Sequence, residues 1–435
     1  MRHLILAACA LLAACGGPAP APVEQGMGAD PALPAPAPQA LPTIRIAKPI
    51  GWAEGAAPQP APGLAVAAFG QPLDHPRQIV ALANGDVLVV QSSTQRGPVR
   101  SPTDLVRNFI MESAGAGTVS PNRIALLRDA NGDGAVELQT TLIDHDLNQP
   151  YGAAQVGAWL YVANTDALVR FPYSDGQTEI TAPAERVLDL PYHAPDNGHW
   201  TRNLILSPNK TKLYIAVGSA SNIADYGMAA EARRAAVWEV DVATNQARVY
   251  ATGLRNPVGM DFVPGTAKLW TVVNERDMLG DDLVPDYMTE VVDGAFYGWP
   301  YSYFGQNRDP RVEADAAAEA LIARARTPDY ALGAHTASLG LAFYVGAALP
   351  ARYQGGAFVG QHGSWNRASP SGYKVIFVPF AGGAPSGPPE DVLTGFLNAR
   401  GEAMGRPVGV AVDRAGALLV ADDVGDRIWR VTPAR

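Results

Sequence analysis

From about residue 62 onward the chain repeats one unit: an apolar stretch, a turn rich in Asn, Asp, Pro and Gly, then an alternating apolar-polar run. Arg77-Gln-Ile-Val-Ala-Leu-Ala-Asn84-Gly85-Asp-Val-Leu-Val-Val90 is the first clear copy. Gly152 to Val162, Arg202 to Ala216, Asn256 to Val273, Leu339 to Gly360 and Arg406 to Ala421 are the others. Short runs bounded by such turns predict β-hairpins. Six units over residues 62–433 recur roughly every 60 residues, a period that suits propeller blades carrying long loops. The pattern therefore predicts an all-β chain closed into a six-bladed β-propeller, with loops converging on one mouth of a central channel. Val312 to Ala325, rich in Ala and bounded by Pro310 and Pro328, predicts a helical insertion, and Asp225 to Ala236 a shorter helical turn.

Ahead of the repeats the pattern changes twice. Arg2 and His3, the apolar run Leu4 to Leu12, and Leu12-Ala13-Ala14-Cys15 read as an export signal over residues 1–14. Its end resembles a bacterial lipobox, so Cys15 is expected to become the lipidated first residue, and Gly16-Gly17 suits outer-membrane sorting. Residues 15–60 are Ala- and Pro-rich, which predicts a disordered, partly polyproline linker holding a propeller domain, residues 61–435, away from the membrane. The other cysteine, Cys9, lies within the signal, so no disulfide is expected. No later segment approaches the ~20 apolar residues that span a bilayer. The expected location is the periplasm, on a lipid anchor.

Composition agrees with this reading: hydrophobic residues reach 47%, charged residues only 17%, with 44 Gly and 37 Pro. A formal net charge of −9 argues against nucleic acid or anionic lipid as partner and leaves small molecules open.

Several stretches carry candidate chemistry. Gly253-Leu-Arg255-Asn256-Pro257-Val-Gly259 feeds a strand, and Asn274-Glu-Arg276-Asp277-Met278 follows its neighbour. Together they deliver a guanidinium, an amide and oxygen donors that suit an anionic cofactor and a hard metal ion. Asp129-Ala-Asn131-Gly-Asp133-Gly134 matches the opening of an EF-hand loop, though Thr140 stands where the bidentate Glu is required, so calcium would act there as a blade staple. His199, near Arg202, is a candidate general base. Arg202, Arg255 and Arg406 fall at equivalent places in three units; either an anion sits among them or several turn aside into ordinary salt bridges. Gly360-Gln361-His362-Gly363-Ser364-Trp365-Asn366-Arg367 is an unusually polar strand exit, and Lys374 follows. The chain lacks Gly-x-Gly-x-x-Gly, a Walker loop, His-Glu-x-x-His and Gly-x-Ser-x-Gly, so nicotinamide, phosphoryl-transfer, zinc-protease and serine-hydrolase readings lack support.

The Arg255 block, the acidic turn after it, Tyr297-Gly298-Trp299-Pro300 and the upstream His199 resemble the soluble PQQ-dependent aldose dehydrogenases. Gly198 to Arg202 and Gly360 to Arg367 look most like the sorbosone dehydrogenase branch. The resemblance runs from about residue 62 to the C-terminus. It implies a six-bladed propeller that binds pyrroloquinoline quinone (PQQ) with calcium and oxidises a sugar or sugar aldehyde by hydride transfer, passing electrons to an external acceptor. It implies that His199 takes the substrate proton and that Arg202, Arg255, Asn256, His362 and Arg406 contact the cofactor. Backbone carbonyls of Asp277 and Met278 would ligate its calcium, and Asp129, Asn131 and Asp133 offer a second calcium site. The family's quinone-polarising Lys has no clean counterpart, with His362, Arg367 or Lys374 as stand-ins, and Val408 replaces the second Arg of a family pair. Two alternatives follow from those departures and from the fold: a propeller that binds sugar or cell-wall fragments without turnover, and a calcium-dependent lactonase, for which no side-chain cluster is evident.

Overall fold

A computed structural model describes residues 20–38, 43–95, 99, 108–109, 111–115, 117–194 and 197–434. The lipidation expected at Cys15 and the signal before it lie outside the described residues.

The six predicted units are six antiparallel sheets. The first blade runs through Pro76–Ala81, Val87–Gln91, Arg123–Arg128 and Leu138–Ile143, and the second from Gly152–Val156 to Glu185–Asp189. The third spans Leu204–Leu206 to Ala247–Thr252, the fourth Pro257–Phe262 to Tyr330–Ala334, and the fifth Ser338–Phe343 to Glu390–Thr394. The sixth joins Pro407–Val412, Leu418–Asp422 and Arg427–Pro433 to Leu64–Ala68 from the start of the propeller, so one sheet holds both ends of the ring together.

Each blade is apolar on both faces because each packs between two others. On Val87–Gln91, Val87 and Val89 enter the cluster shared with the sixth blade, while Leu88 and Val90 enter the one shared with the second. Strands buried on both sides read as continuous apolar runs, which is why the second strand of a unit is harder to phase by alternation than the first. The first strand of every blade lines the channel and touches its neighbours in the ring. Glycine is required there: a Cβ on Gly340 would sit 2.2 Å from the Val408 carbonyl oxygen of the next blade.

Two expectations change. The helical insertion is shorter, Ala316–Ile322, with Asp315 accepting from the Ala318 N–H at its N-cap, and Asp225 to Ala236 is a chain of turns leading into a strand. The Ala/Pro-rich segment, where described, is not a free spacer. Met27–Gly28 adds a fifth strand to the fourth blade and Gln59–Pro60 a fifth strand to the fifth blade. Ala47 is buried, and Trp52 packs edge-on against Phe396 and Trp429 while its indole N–H donates to Asp422. A proline-rich chain cannot build a core of its own, but blade edges offer it backbone partners and the gaps between loops accept its few large side chains.

Candidate functional site

In every blade the first strand begins, and the second ends, at the same end of the ring; Pro257 pairs with Val273, Ser338 with Gln361 and Pro407 with Asp422. These three first strands each carry a register shift just inside that end. Such irregularities re-aim the residues beside them, and the loops at this end surround a cavity of ≈ 520 Å³.

Six predicted residues meet there: His199, Arg255, Asn256, Asp277, His362 and Arg406. The His199 Nδ1–H donates to the Ser219 carbonyl (3.1 Å) and to Ser219 Oγ (2.8 Å), whose own hydrogen goes to the Ser221 carbonyl. A carbonyl only accepts, so Nδ1 carries the proton and Nε2 keeps its lone pair. Burial, then the Arg255 and Arg234 charges, hold the imidazole well below its ordinary pKa and therefore neutral.

Arg255 is anchored on all sides, donating to the Asn222 carbonyl and Oδ1, to the Asn274 and Glu275 carbonyls, and to Asp277 Oδ2 at 3.4 Å. Asp277 also accepts from Asn366 Nδ2 (2.7 Å) and faces His335 Nδ1 at 3.4 Å. Burial would raise its pKa, yet His335 and Arg255 bring it down to about 2. Glu275, nearly inaccessible, is pushed up to about 7 by burial despite Arg255. Arg406 donates through Nη2 to the Ala47 carbonyl and lies over the Tyr373 ring, so the N-terminal segment forms part of this wall. Asn256 Oδ1, Asn366 Oδ1 and Arg406 Nε are buried without a partner among the described residues.

The other expectations separate from this group. Arg202 is fully buried and turned away, donating to the His199, Thr201 and Pro191 carbonyls; it staples the loop that carries His199 and does not reach the cavity. Of the two outcomes open for the three arginines, Arg202 thus takes neither, satisfying backbone carbonyls instead. Met278 is not among the lining residues, and the Asp277 carbonyl accepts from Asn222 Nδ2 (3.2 Å). Lys374 pairs with Asp391 on the outer strands and Arg367 with Asp282, so neither replaces the family Lys. His362 lines the cavity but does not act as a cation: its Nε2–H donates to Asp423, and burial takes its pKa down to about 4. Asp129 and Asp133 gather instead with Glu137 on the hairpin at the opposite end of the first blade. Asn131 stands against Asp133: its Oδ1 accepts from the Asp133 N–H (2.8 Å), closing an Asx turn, and its Nδ2 donates to Asp133 Oδ2 (3.1 Å).

Asn366 belongs to the polar strand exit that the sequence marks, without a role of its own there; sequence reasoning missed His335, Asn222 and the pair Arg77 and Asp423, in which Asp423 binds both Arg77 and His362. A signal existed for two of them. His335 precedes Ser338, and Arg77 sits at the start of its strand, much as Arg255 and Arg406 precede theirs. Asp423 follows a strand with nothing local to mark it.

The sequence profile of the TrAA12-like family matches residues 104–290 and 304–434. This chain belongs to the TrAA12-like family. Three solved structures share its fold. The holo form of the PQQ domain of pyranose dehydrogenase from Coprinopsis cinerea superposes with a TM-score of 0.67 at 21% identity, covering 89% of this chain and 100% of that one. The calcium structure of a carbohydrate-active enzyme of family AA12 from Trichoderma reesei gives 0.68 at 19%, covering 90% and 99%. The PQQ-bound aldose sugar dehydrogenase of Streptomyces coelicolor gives 0.54 at 16%, covering 86% and 99%. An uncharacterized protein of Borreliella burgdorferi is 31% identical over 235 residues, 54% of this chain and 60% of that protein's length.

Proposed function

We propose that this TrAA12-like protein binds PQQ in the cavity beside His199 and oxidises a sugar or sugar aldehyde, of aldose or sorbosone type, passing electrons to an external acceptor. The observation that carries the reading is the free Nε2 of a neutral, oriented His199 facing a cavity that also holds Arg255 and Arg406. The relatives named above, described as PQQ-bound or as sugar dehydrogenases, support it.

The residues present fit the cofactor. Buried polar atoms without partners are rare in folded proteins, and Asn256 Oδ1, Asn366 Oδ1 and Arg406 Nε belong to residues around one cavity. Arg406 would hold a carboxylate of PQQ, with Asn256 beside it and the charge of Arg255, whose five N–H groups are already bonded within the protein, acting through space, while Asp277 and Asn366 Oδ1 are the oxygens that suit calcium. PQQ, when bound, supplies a two-electron acceptor for the substrate C–H bond. The chain supplies the rest: His199 Nε2 takes the hydroxyl proton, Ser219 fixes the tautomer that can do so, and Arg255, rigid in its five hydrogen bonds, raises the field around the developing charge. Calcium at the Asp129, Asp133 and Glu137 cluster would staple the first blade. The protein would act in the periplasm, lipid-anchored through Cys15.

The test is dye reduction by the purified protein with PQQ and calcium, across aldoses and sorbosone. Activity that requires PQQ is expected; no PQQ binding at micromolar concentration removes the reading. A second reading, a propeller that binds sugar or a cell-wall fragment without turnover, is favoured by one finding: Arg202 and His362 leave fewer free cations than the resemblance implied. It predicts sugar binding without dye reduction.

A further inference from the structure

Among the described residues, nine large hydrophobic side chains stand exposed, and eight of them rise from the loops at the end of the ring that holds the cavity. Ile44 and Ile50 flank Ala47, whose carbonyl receives Arg406. Phe109 (69% exposed) and Val119 (93%) lie in the loop that also brings Met111 and Ala114 to the cavity. Tyr192, Tyr226 and Met228 sit on the two loops that enclose His199. Only Val345 (68%) stands at the opposite end. Single exposed apolar residues are ordinary, but their collection on one face marks a contact surface.

A separate observation places the chain's start on that face. The Ala21 N–H donates to Asp282 Oδ2 (2.9 Å), and its carbonyl accepts from Arg367, both partners lying in loops at the cavity end. Six residue steps lead from Cys15 to Ala21. Fully extended, such a chain reaches roughly 20 Å, about the depth of a headgroup layer plus a short gap.

We infer that the cavity-bearing face docks on a lipid bilayer, its apolar rim entering the interface and the cavity opening toward the membrane. The inference rests on the lipid-anchor reading for its tether, while the rim supports it independently. The net charge of −9 disfavours an anionic surface, so zwitterionic headgroups are the fitting chemistry and burial of the rim, not charge, supplies the attraction. A spacer of the full Ala/Pro-rich length would have left orientation free; a segment clamped at Ala21 does not. The consequence is that sugar enters from the side, between rim and membrane, and that a lipid-soluble electron acceptor can approach the cavity without crossing the aqueous phase.

The test uses the full-length chain, purified and reconstituted into phosphatidylcholine vesicles carrying a bilayer-embedded quencher. Neither Cys9 nor Cys15 leaves a free thiol after processing, so Val119→Cys and Val345→Cys each accept one fluorophore. The expected result is blue-shifted, quenched emission at position 119 and aqueous, unquenched emission at 345. Equal responses, a larger one at 345, or quenching at 119 only after a second protein is added would overturn docking. The anchor is read separately: Cys15→Ser should release the protein from the membrane fraction and remove the acyl mass from its N-terminal peptide. If Cys15 proves unmodified, the same two labels placed in a Cys9→Ser, Cys15→Ser background and mixed with the vesicles decide the rim, since a loss of emission at 119 alone supports it and no change refutes it.

Discussion

Arg202 and Arg406 occupy comparable places in their units, yet one serves the backbone and the other the cavity. Arg202 satisfies three carbonyls of the loop before its strand, whereas Arg406 donates to the Ala47 carbonyl alone and lines the cavity; the Nε of each is buried without a partner among the described residues. Arg202→Ala should therefore cost about 2–4 kcal/mol by stranding buried carbonyls and leave the PQQ dissociation constant of the folded protein unchanged. Arg406→Ala should weaken PQQ binding by ~10-fold or more, the worth of a charge-assisted hydrogen bond, with little loss of thermal stability. Calorimetry and titration on both variants check the pair; the reverse pattern would contradict these roles. Glu275 gives a pH test. Its pKa is raised by burial from 4.5 to about 7, so the folded state retains a proton the unfolded chain has lost. Its contribution is fully present below pH 4.5 and disappears as pH rises through 7, a change of roughly 3 kcal/mol. Glu275→Gln should remove that decline from the denaturation midpoint measured between pH 5 and 8. Sequence spacing could identify which arginines head strands, but not which would turn aside, because that depends on carbonyls such as Pro191 that only the folded loop presents.

At the scale of elements, the Ala/Pro-rich segment departs furthest from expectation. Composition correctly showed that it has no core of its own; it could not show that blade edges and Asp422 were waiting for it. Asp422 accepts from the Trp52 and Trp429 indoles and from the Arg406 N–H, so the segment, the sixth blade and the cavity wall share one carboxylate. Trp52→Ala should lower stability by about 2–4 kcal/mol and also weaken PQQ binding, through Arg406. Loss of stability with unaltered binding would confine Trp52 to packing. The strands and turns themselves were legible, since Asn84-Gly85 and similar pairs mark hairpins directly. The helix ends before its alanines do because beyond Ala323, whose N–H still reaches Glu319, the bonding tightens to the three-residue turns Arg324 to Leu321 and Ala325 to Ile322.

At the scale of the molecule, ring closure depends on Leu64–Ala68 pairing with Arg427–Pro433, residues at opposite ends of the propeller sequence. Ala67 lies opposite Arg430 in that ladder, and Ala67→Pro should cost ~3 kcal/mol or more by removing an N–H there. An unchanged melting midpoint would place closure elsewhere. Six repeated units imply the ring from the sequence, whereas the carboxylate cluster on the first blade is not legible there, because Glu137 joins Asp129 and Asp133 only through the curl of the loop. The central claim is that His199 is the base of a PQQ-dependent sugar oxidation. The most direct measurement compares wild type and His199→Ala for PQQ affinity and for sugar-dependent dye reduction. The account predicts equal affinity and a fall in turnover of roughly 10²–10⁴-fold; a variant that binds PQQ and turns over sugar like the wild type would contradict it.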